Sequence, residues 1–116
     1  MDFKEITEKL KNNKNTYASV LFGSRAKGTS RKDSDYDIAV FVKDTKAIKE
    51  LEKLKTKDFD IIPYSKLPLY VKAQVFKHGK PLFIKNDKQF TLDIYTAMKY
   101  YKDNLHHYSL LKQARV

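Results

Sequence analysis

Apolar and polar positions alternate along the chain with two different periods. Residues 2–13 carry apolar side chains at helical spacing, which predicts an amphipathic helix capped by Asp2. A β-rich run follows at Thr16–Phe22, and Gly23 ends it. The next letters, SRAKG, predict one helical turn that Gly28 terminates. The chain is therefore expected to open with a helix, a strand and a short turn.

The clearest strand pattern is DYDIAVFV, at Asp35–Val42. Alternation divides this run between two faces of a sheet, with Tyr36, Ile38, Val40 and Val42 on one face and Asp35, Asp37, Ala39 and Phe41 on the other. Both acids of the run therefore share a face.

Helix and strand patterns alternate through the rest of the chain. They predict a helix over 45–55, a strand over 58–64 with Pro63 at its edge or end, a helix over 67–79 and a strand over 81–85. From Phe90 onward, apolar residues recur every 3.6 positions, which predicts a long C-terminal helix over about 88–114. This order indicates a small α/β or α+β domain with about four strands.

Length and composition limit the possible functions. A chain of 116 residues fits one domain, which we expect to span 1–116 with a catalytic core over about 16–85. Cysteine is absent, so disulfides and thiolate metal sites are excluded. We see no signal peptide and no apolar run of about 20 residues, and we expect a cytoplasmic protein without membrane contact.

The net charge of +10 raises the question of an anionic partner. Lysine accounts for 21 of the 24 cations, and the lysines are spread along the whole chain. Dedicated phosphate-binding surfaces use more arginine, whose planar fork suits phosphate. The overall charge is therefore interpreted as general lysine usage, and direct binding of nucleic acid is not favoured.

Three acids are candidates for a shared metal site. Asp35 and Asp37 would lie about 6.6 Å apart on one face of a strand. Asp60 is flanked by Phe59 and Ile61, so it would point away from the apolar face of its own strand. If the two strands pair, three carboxylates meet, and two of them at about 4 Å repel by about 4 kcal/mol at an effective dielectric constant of 20. Bound Mg²⁺ would relieve that repulsion.

The third acid has an alternative in Asp58, which shares the face of Asp60 by the two-residue period. Asp60 is preferred because apolar residues flank it on both sides. Asp58 follows two lysines and is interpreted as a residue at the entry of the strand.

Gly23 and Ser24 are candidates for binding phosphate. A strand that ends in Gly-Ser and leads into a helical turn presents backbone N–H groups and a hydroxyl. Cations follow in the loop, and among them Arg25 is the one that adjoins Ser24 and is expected to contact the nucleotide. The other cations of the loop are Lys27, Arg31 and Lys32.

Gly23-Ser24, ten residues and then Asp35-Tyr36-Asp37 together resemble the signature of the nucleotidyltransferase superfamily that includes DNA polymerase β. The short length and the letters GSRAKG, SDYDIAVF, FDII and KHGKPLF are similar to its minimal nucleotidyltransferase (MNT) subfamily. The resemblance covers roughly residues 16–84. It implies the nucleotidyltransferase fold, a mixed sheet with helices packed mainly on one side.

The resemblance also implies a reaction, the transfer of a nucleoside monophosphate from a nucleoside triphosphate, expected to be ATP, to a hydroxyl. Asp35 and Asp37 would bind two Mg²⁺ ions. Asp60 would hold the catalytic metal and help to deprotonate the acceptor. Gly23 and Ser24 would hold the β- and γ-phosphates.

Many MNT proteins are antitoxins paired with a HEPN ribonuclease toxin, and some adenylylate that toxin. The resemblance therefore implies an antitoxin of this kind. The alternative is a binding module, weakly catalytic or inactive, that neutralises its partner through the long C-terminal helix, which could also support oligomers. A small-molecule adenylyltransferase is a third option, but such enzymes usually need a second domain for the acceptor.

Overall fold

The structure is a computed structural model that describes residues 2–31 and 34–105. Within these ranges the helices are α1 (Phe3–Asn12), α2 (Ser24–Lys27), α3 (Ala47–Glu52), α4 (Leu69–His78) and α5 (Asp87–Asp103). The strands are β1 (Thr16–Phe22), β2 (Tyr36–Val42), β3 (Phe59–Pro63) and β4 (Lys80–Ile84). A short 3₁₀ turn, Tyr64–Lys66, follows β3.

The four strands form one mixed sheet in the order β3-β2-β1-β4. β1 is antiparallel to both of its neighbours, whereas β2 and β3 are parallel. β3 is an edge strand, and its last residue is Pro63. Proline has no backbone N–H, and a strand end at the edge of a sheet tolerates that loss because no central hydrogen bond is broken. The predicted mixed α+β architecture of about four strands is confirmed.

Helices cover both faces of the sheet, whereas the resemblance implied helices mainly on one side. On one face, Ile38 and Val40 pack with residues of α1, α2 and α3. On the other, Ala39 and Phe41 pack with the 3₁₀ turn, α4 and α5. The physical reason lies in β1, where all seven residues are buried, because a strand that is apolar on both sides needs cover on both sides.

The first helix forms as its sequence predicts. Asp2 Oδ1 accepts a hydrogen bond of 2.8 Å from the Glu5 amide, which satisfies one of the free N–H groups at the helix start. Ile6 and Leu10 are completely buried against the sheet. Thr16 Oγ1 donates to Leu10 O at 2.6 Å, which joins the end of α1 to the start of β1.

The long helix α5 begins where Asn86 accepts a hydrogen bond from the Gln89 amide. Its Phe90, Ile94 and Ala97 pack on the sheet. The predicted helix over 88–114 is present as far as Asp103, and its last part, 106–114, lies outside the described residues. No helix in the described ranges is both long enough and apolar enough to cross a membrane.

The topology brings three strand ends together at one end of the sheet. Phe22, the last residue of β1, pairs with Asp37 near the start of β2. Asp37 pairs in turn with Asp60 near the start of β3. The Gly-Ser turn after β1 and the acids of β2 and β3 therefore lie side by side.

Candidate active site

Gly23 forms the turn that leaves β1. Its backbone has φ 73° and ψ −157°, a conformation that essentially requires glycine. A Cβ placed on Gly23 would collide with the Asp37 carboxylate, because it would lie 3.1 Å from Asp37 Cγ and closer still to Asp37 Oδ2. Glycine is thus required twice, for the turn and for the close approach of the turn to an acid.

The predicted single helical turn after Gly23 is confirmed as α2. The amides of Ala26 and Lys27 both donate to Gly23 O, at 3.2 and 3.1 Å. Gly28 ends the turn in the left-handed conformation, with φ 76°. Ser24 is the first residue of α2 and is partly exposed beside Gly23.

Asp37 and Asp60 are direct neighbours across the parallel pairing of β2 with β3. Opposed residues of adjacent strands are about 4.8 Å apart along the hydrogen-bonding direction and share a face of the sheet. Both acids are partly buried. Asp35 precedes β2 and is exposed.

Asp58 takes a different position from Asp60. It precedes β3, is exposed, and contributes its backbone carbonyl to the Tyr36 amide at 2.8 Å. The geometry therefore favours Asp60 over Asp58 as the acid that joins Asp37.

The charge at the site is dominated by acidic side chains that lie close to one another. Burial raises the pKa of the Asp37 carboxyl, and the charges of Asp60 and then Asp35 raise its pKa further. Asp60 has a cation nearby, because Lys55 Nζ lies 3.1 Å from Asp60 Oδ1. That oxygen is buried and accepts no hydrogen bond of good geometry from the described part of the chain.

These residues fit a divalent cation in chemistry. The donor set is carboxylate oxygen, which Mg²⁺ prefers, and the burial and acidic neighbours that raise the pKa of Asp37 favour added positive charge there. The fit is incomplete in geometry, because the described residues hold no group of three acidic or imidazole side chains arranged around one point. Asp37 and Asp60 are adjacent, and Asp35 would have to turn towards them.

Arg25 is directed to the loop before β2. Its Nε and Nη2 donate to Ser34 O at 3.2 and 2.9 Å, and its guanidinium lies 4.5 Å from the centre of the Tyr36 ring. These contacts join α2 to the residues that lead into the acids. Lys27 and Arg31 are exposed, and Lys32 lies outside the described residues.

Two features of the site had no signal in the sequence. One is the pairing of Lys55 with Asp60, since Lys55 lies in the connection between α3 and β3 with no motif around it. The other is the stack of Tyr36 between Phe3 and Phe59, with ring centres 4.8 and 5.3 Å away. The alternating pattern placed Tyr36 on the apolar face but not its ring partners.

Comparisons with known proteins identify the family of the chain. The family model described as polymerase beta, nucleotidyltransferase, matches residues 4–88. A relative from Methanocaldococcus jannaschii, named as a candidate protein adenylyltransferase, is 33% identical over 88 residues, which cover 75% of this chain and 70% of the relative.

Solved structures give the same fold. A crystal structure of a toxin-antitoxin with AMP-PNP has a TM-score of 0.73 at 23% identity, covering 99% of this chain and 100% of the matched chain. A complex of tri-AMPylated Shewanella oneidensis HEPN toxin with MNT antitoxin has a TM-score of 0.64 at 20% identity, covering 97% and 98% of the two chains. At these identities the likeness concerns the fold alone. On the family model and the sequence relative, the chain belongs to the polymerase beta nucleotidyltransferase family.

Proposed function

We propose that this nucleotidyltransferase moves AMP from ATP to a hydroxyl group on a partner protein, and that the partner is a HEPN toxin that it thereby neutralises. The observation that carries the proposal is the pairing of Asp37 with Asp60 beside the glycine turn at Gly23. The named activity of the relative and the AMPylated toxin in the neighbouring complex support the choice of reaction and partner.

The acids are the proposed metal ligands. Asp35 and Asp37 would hold two Mg²⁺ ions, and Asp60 would share the catalytic one. When bound, Mg²⁺ would neutralise charge on the phosphates and lower the pKa of the attacking hydroxyl. The raised pKa of Asp37 supports this assignment, since a group whose ionised form is disfavoured by its neighbours gains most from an added cation.

The phosphate end of ATP is proposed to lie at Gly23 and Ser24. Backbone N–H groups at such a turn bind phosphate oxygens, and the Ser24 hydroxyl adds a further donor. Arg25 is the proposed third phosphate-binding residue because it adjoins Ser24, and its guanidinium contacts Ser34 and Tyr36 in the loop before the acids and at the start of β2. The β- and γ-phosphates would occupy this end, which leaves the α-phosphate towards the acids.

The transfer itself follows from this placement. The acceptor oxygen forms a bond to the α-phosphorus while the bond from that phosphorus to the oxygen bridging to the β-phosphate breaks, and pyrophosphate leaves. Asp60 would accept the proton of the acceptor hydroxyl. The remaining contribution of the protein is positioning and charge stabilisation, which phosphoryl transfer chiefly requires.

A non-catalytic binding module is the second candidate, and one observation favours it. α5 exposes Leu92, Tyr95 and Met98, with 57%, 64% and 47% of each residue accessible, on a side away from the sheet. Three large apolar side chains at helical spacing could bind a partner without any chemistry. Binding and transfer are compatible, so an experiment must measure both.

The test uses this protein, its proposed HEPN toxin partner, Mg²⁺ and ATP labelled at the α-phosphate. We expect the label to move to the partner, and Asp60→Asn to prevent this while Asp58→Asn, the same change on an exposed acid, does not. Size-exclusion chromatography of the same mixtures reports complex formation. A stable complex that never acquires label would replace the enzyme proposal with the binding module.

A further inference from the structure

Lys55 occupies an unusual position for a surface lysine. Its ammonium lies 3.1 Å from Asp60 Oδ1, an oxygen that is shielded from solvent. The backbone before β3 is held in place by short-range bonds, with the Lys55 amide donating to Glu52 O and the Thr56 amide donating to Phe59 O. The turn therefore places Lys55 beside the acid that faces Asp37.

The ion pair between Lys55 and Asp60 is easily broken. The Lys55 side chain is 57% exposed and that of Asp60 is 33% exposed, so the ion pair is weak in water. An ammonium group has no preferred plane of approach, in contrast to a guanidinium, which would grip both oxygens of the carboxylate. Lys55 can thus move into solvent without loss of a directed hydrogen bond.

The neighbouring acids make a cation beside Asp60 favourable. Asp37 faces Asp60 across the strand pairing, and the charge of Asp60, in addition to burial, disfavours ionisation of Asp37. Lys55 supplies one positive charge to this cluster, whereas a divalent cation would supply two. The ammonium and the metal would compete for the same carboxylate, that of Asp60.

We propose that Lys55 is a positioning residue that holds Asp60 in the metal-free protein and competes with a divalent cation for it. Metal binding would then displace Lys55 from the Asp60 carboxylate. This inference rests on the proposed function, because it assumes that the acids bind metal.

The test measures Mn²⁺ affinity directly, from the electron paramagnetic resonance signal of the free ion, without any turnover. We expect Lys55→Gln to bind Mn²⁺ about two- to fivefold more tightly than the wild-type protein, the range that corresponds to an exposed ion pair. Lys57→Gln makes the same change in net charge two residues away on an exposed lysine and should leave the affinity within about a factor of two. Lys55→Arg should bind Mn²⁺ more weakly than wild type, because arginine pairs with a carboxylate through two bonds.

The outcomes separate the two hypotheses. Equal affinities for Lys55→Gln and Lys57→Gln, or weaker binding by Lys55→Gln, would overturn the competition while leaving the metal site intact. Absence of saturable Mn²⁺ binding by the wild-type protein would instead remove the metal site itself. Asp37→Asn serves as the negative control, since this variant should show no saturable Mn²⁺ binding. Thermal unfolding of each variant confirms that the folded protein is the species titrated.

Discussion

Asp37 lies directly opposite Asp60 in the parallel pairing of β2 with β3. Few sheets tolerate two carboxylates in that relationship, because like charges on opposed residues destabilise the pairing. The repulsion affects the ionisation of Asp37, whose pKa is raised by burial and by its acidic neighbours. Carboxyl groups with perturbed pKa values cluster at functional sites.

The first prediction concerns stability and pH. Since the folded protein raises the pKa of Asp37, this group contributes stability fully below its ordinary value of 3.8, and that contribution is lost as the pH rises through the raised pKa. Asp37→Asn removes the loss. In the presence of a chelator, Asp37→Asn should therefore have a higher Tm than wild type at about pH 8, with a smaller difference at about pH 4.

Differential scanning calorimetry across this range gives the comparison. Asp58→Asn, which alters an exposed acid outside the pairing, serves as the control and should follow wild type. A wild-type protein that is equal to or more stable than Asp37→Asn at the higher pH would contradict the electrostatic description of the site.

The second prediction concerns Gly23. Alanine there would adopt a backbone conformation reserved for glycine and would place its Cβ against the Asp37 carboxylate. We expect Gly23→Ala to lower the free energy of unfolding by about 1–3 kcal/mol and to impair nucleotide transfer. Urea denaturation measures the first effect.

Gly28 provides the matched control. It also has a positive φ, of 76°, but a Cβ there would meet nothing within 4 Å. Gly28→Ala should therefore cost only the conformational strain, about 1 kcal/mol. Equal losses for the two variants would mean that the contact between Gly23 and Asp37 has no energetic consequence.

The third prediction separates the fold from the site. At the other end of the sheet, the Tyr17 hydroxyl donates a hydrogen bond to Asp93. Burial is the main reason that the pKa of Tyr17 is raised, and the interaction with Asp93 raises it further. Tyr17→Phe removes a hydrogen bond to a charged group, and we expect a loss of about 1–2 kcal/mol in the free energy of unfolding. Nucleotide transfer should be unchanged below the unfolding temperature. Loss of transfer in a folded Tyr17→Phe protein would show that the two ends of the sheet are coupled.

Much of this architecture follows from periodicity. The helix and strand patterns predicted every strand of the sheet, and the apolar neighbours Phe59 and Ile61 predicted that Asp60 lies within a strand. The mostly apolar run of β1 also indicated that both faces of the sheet are covered, although the family resemblance pointed to one. Patterns of this kind report which face a side chain occupies.

The parts that could not be predicted depend on side chains that cross between elements. Lys55 reaches Asp60 from a turn, and Arg25 reaches Ser34 from α2. Long flexible side chains in connections carry no periodic signal, and their partners depend on the tertiary packing of the strands around them. The sequence therefore showed that the loop after Ser24 is positively charged, but it did not predict which residues its side chains contact.

The fourth prediction tests the central claim that the acids at this strand end transfer AMP. The wild-type protein is incubated with ATP, Mg²⁺ and its proposed HEPN toxin partner, and the intact mass of that partner is measured. We predict a gain of one or more AMP units, which disappears with excess chelator and falls by at least about a hundredfold in rate with Asp37→Asn. An AMP adduct formed at the wild-type rate by a folded Asp37→Asn protein would contradict the account.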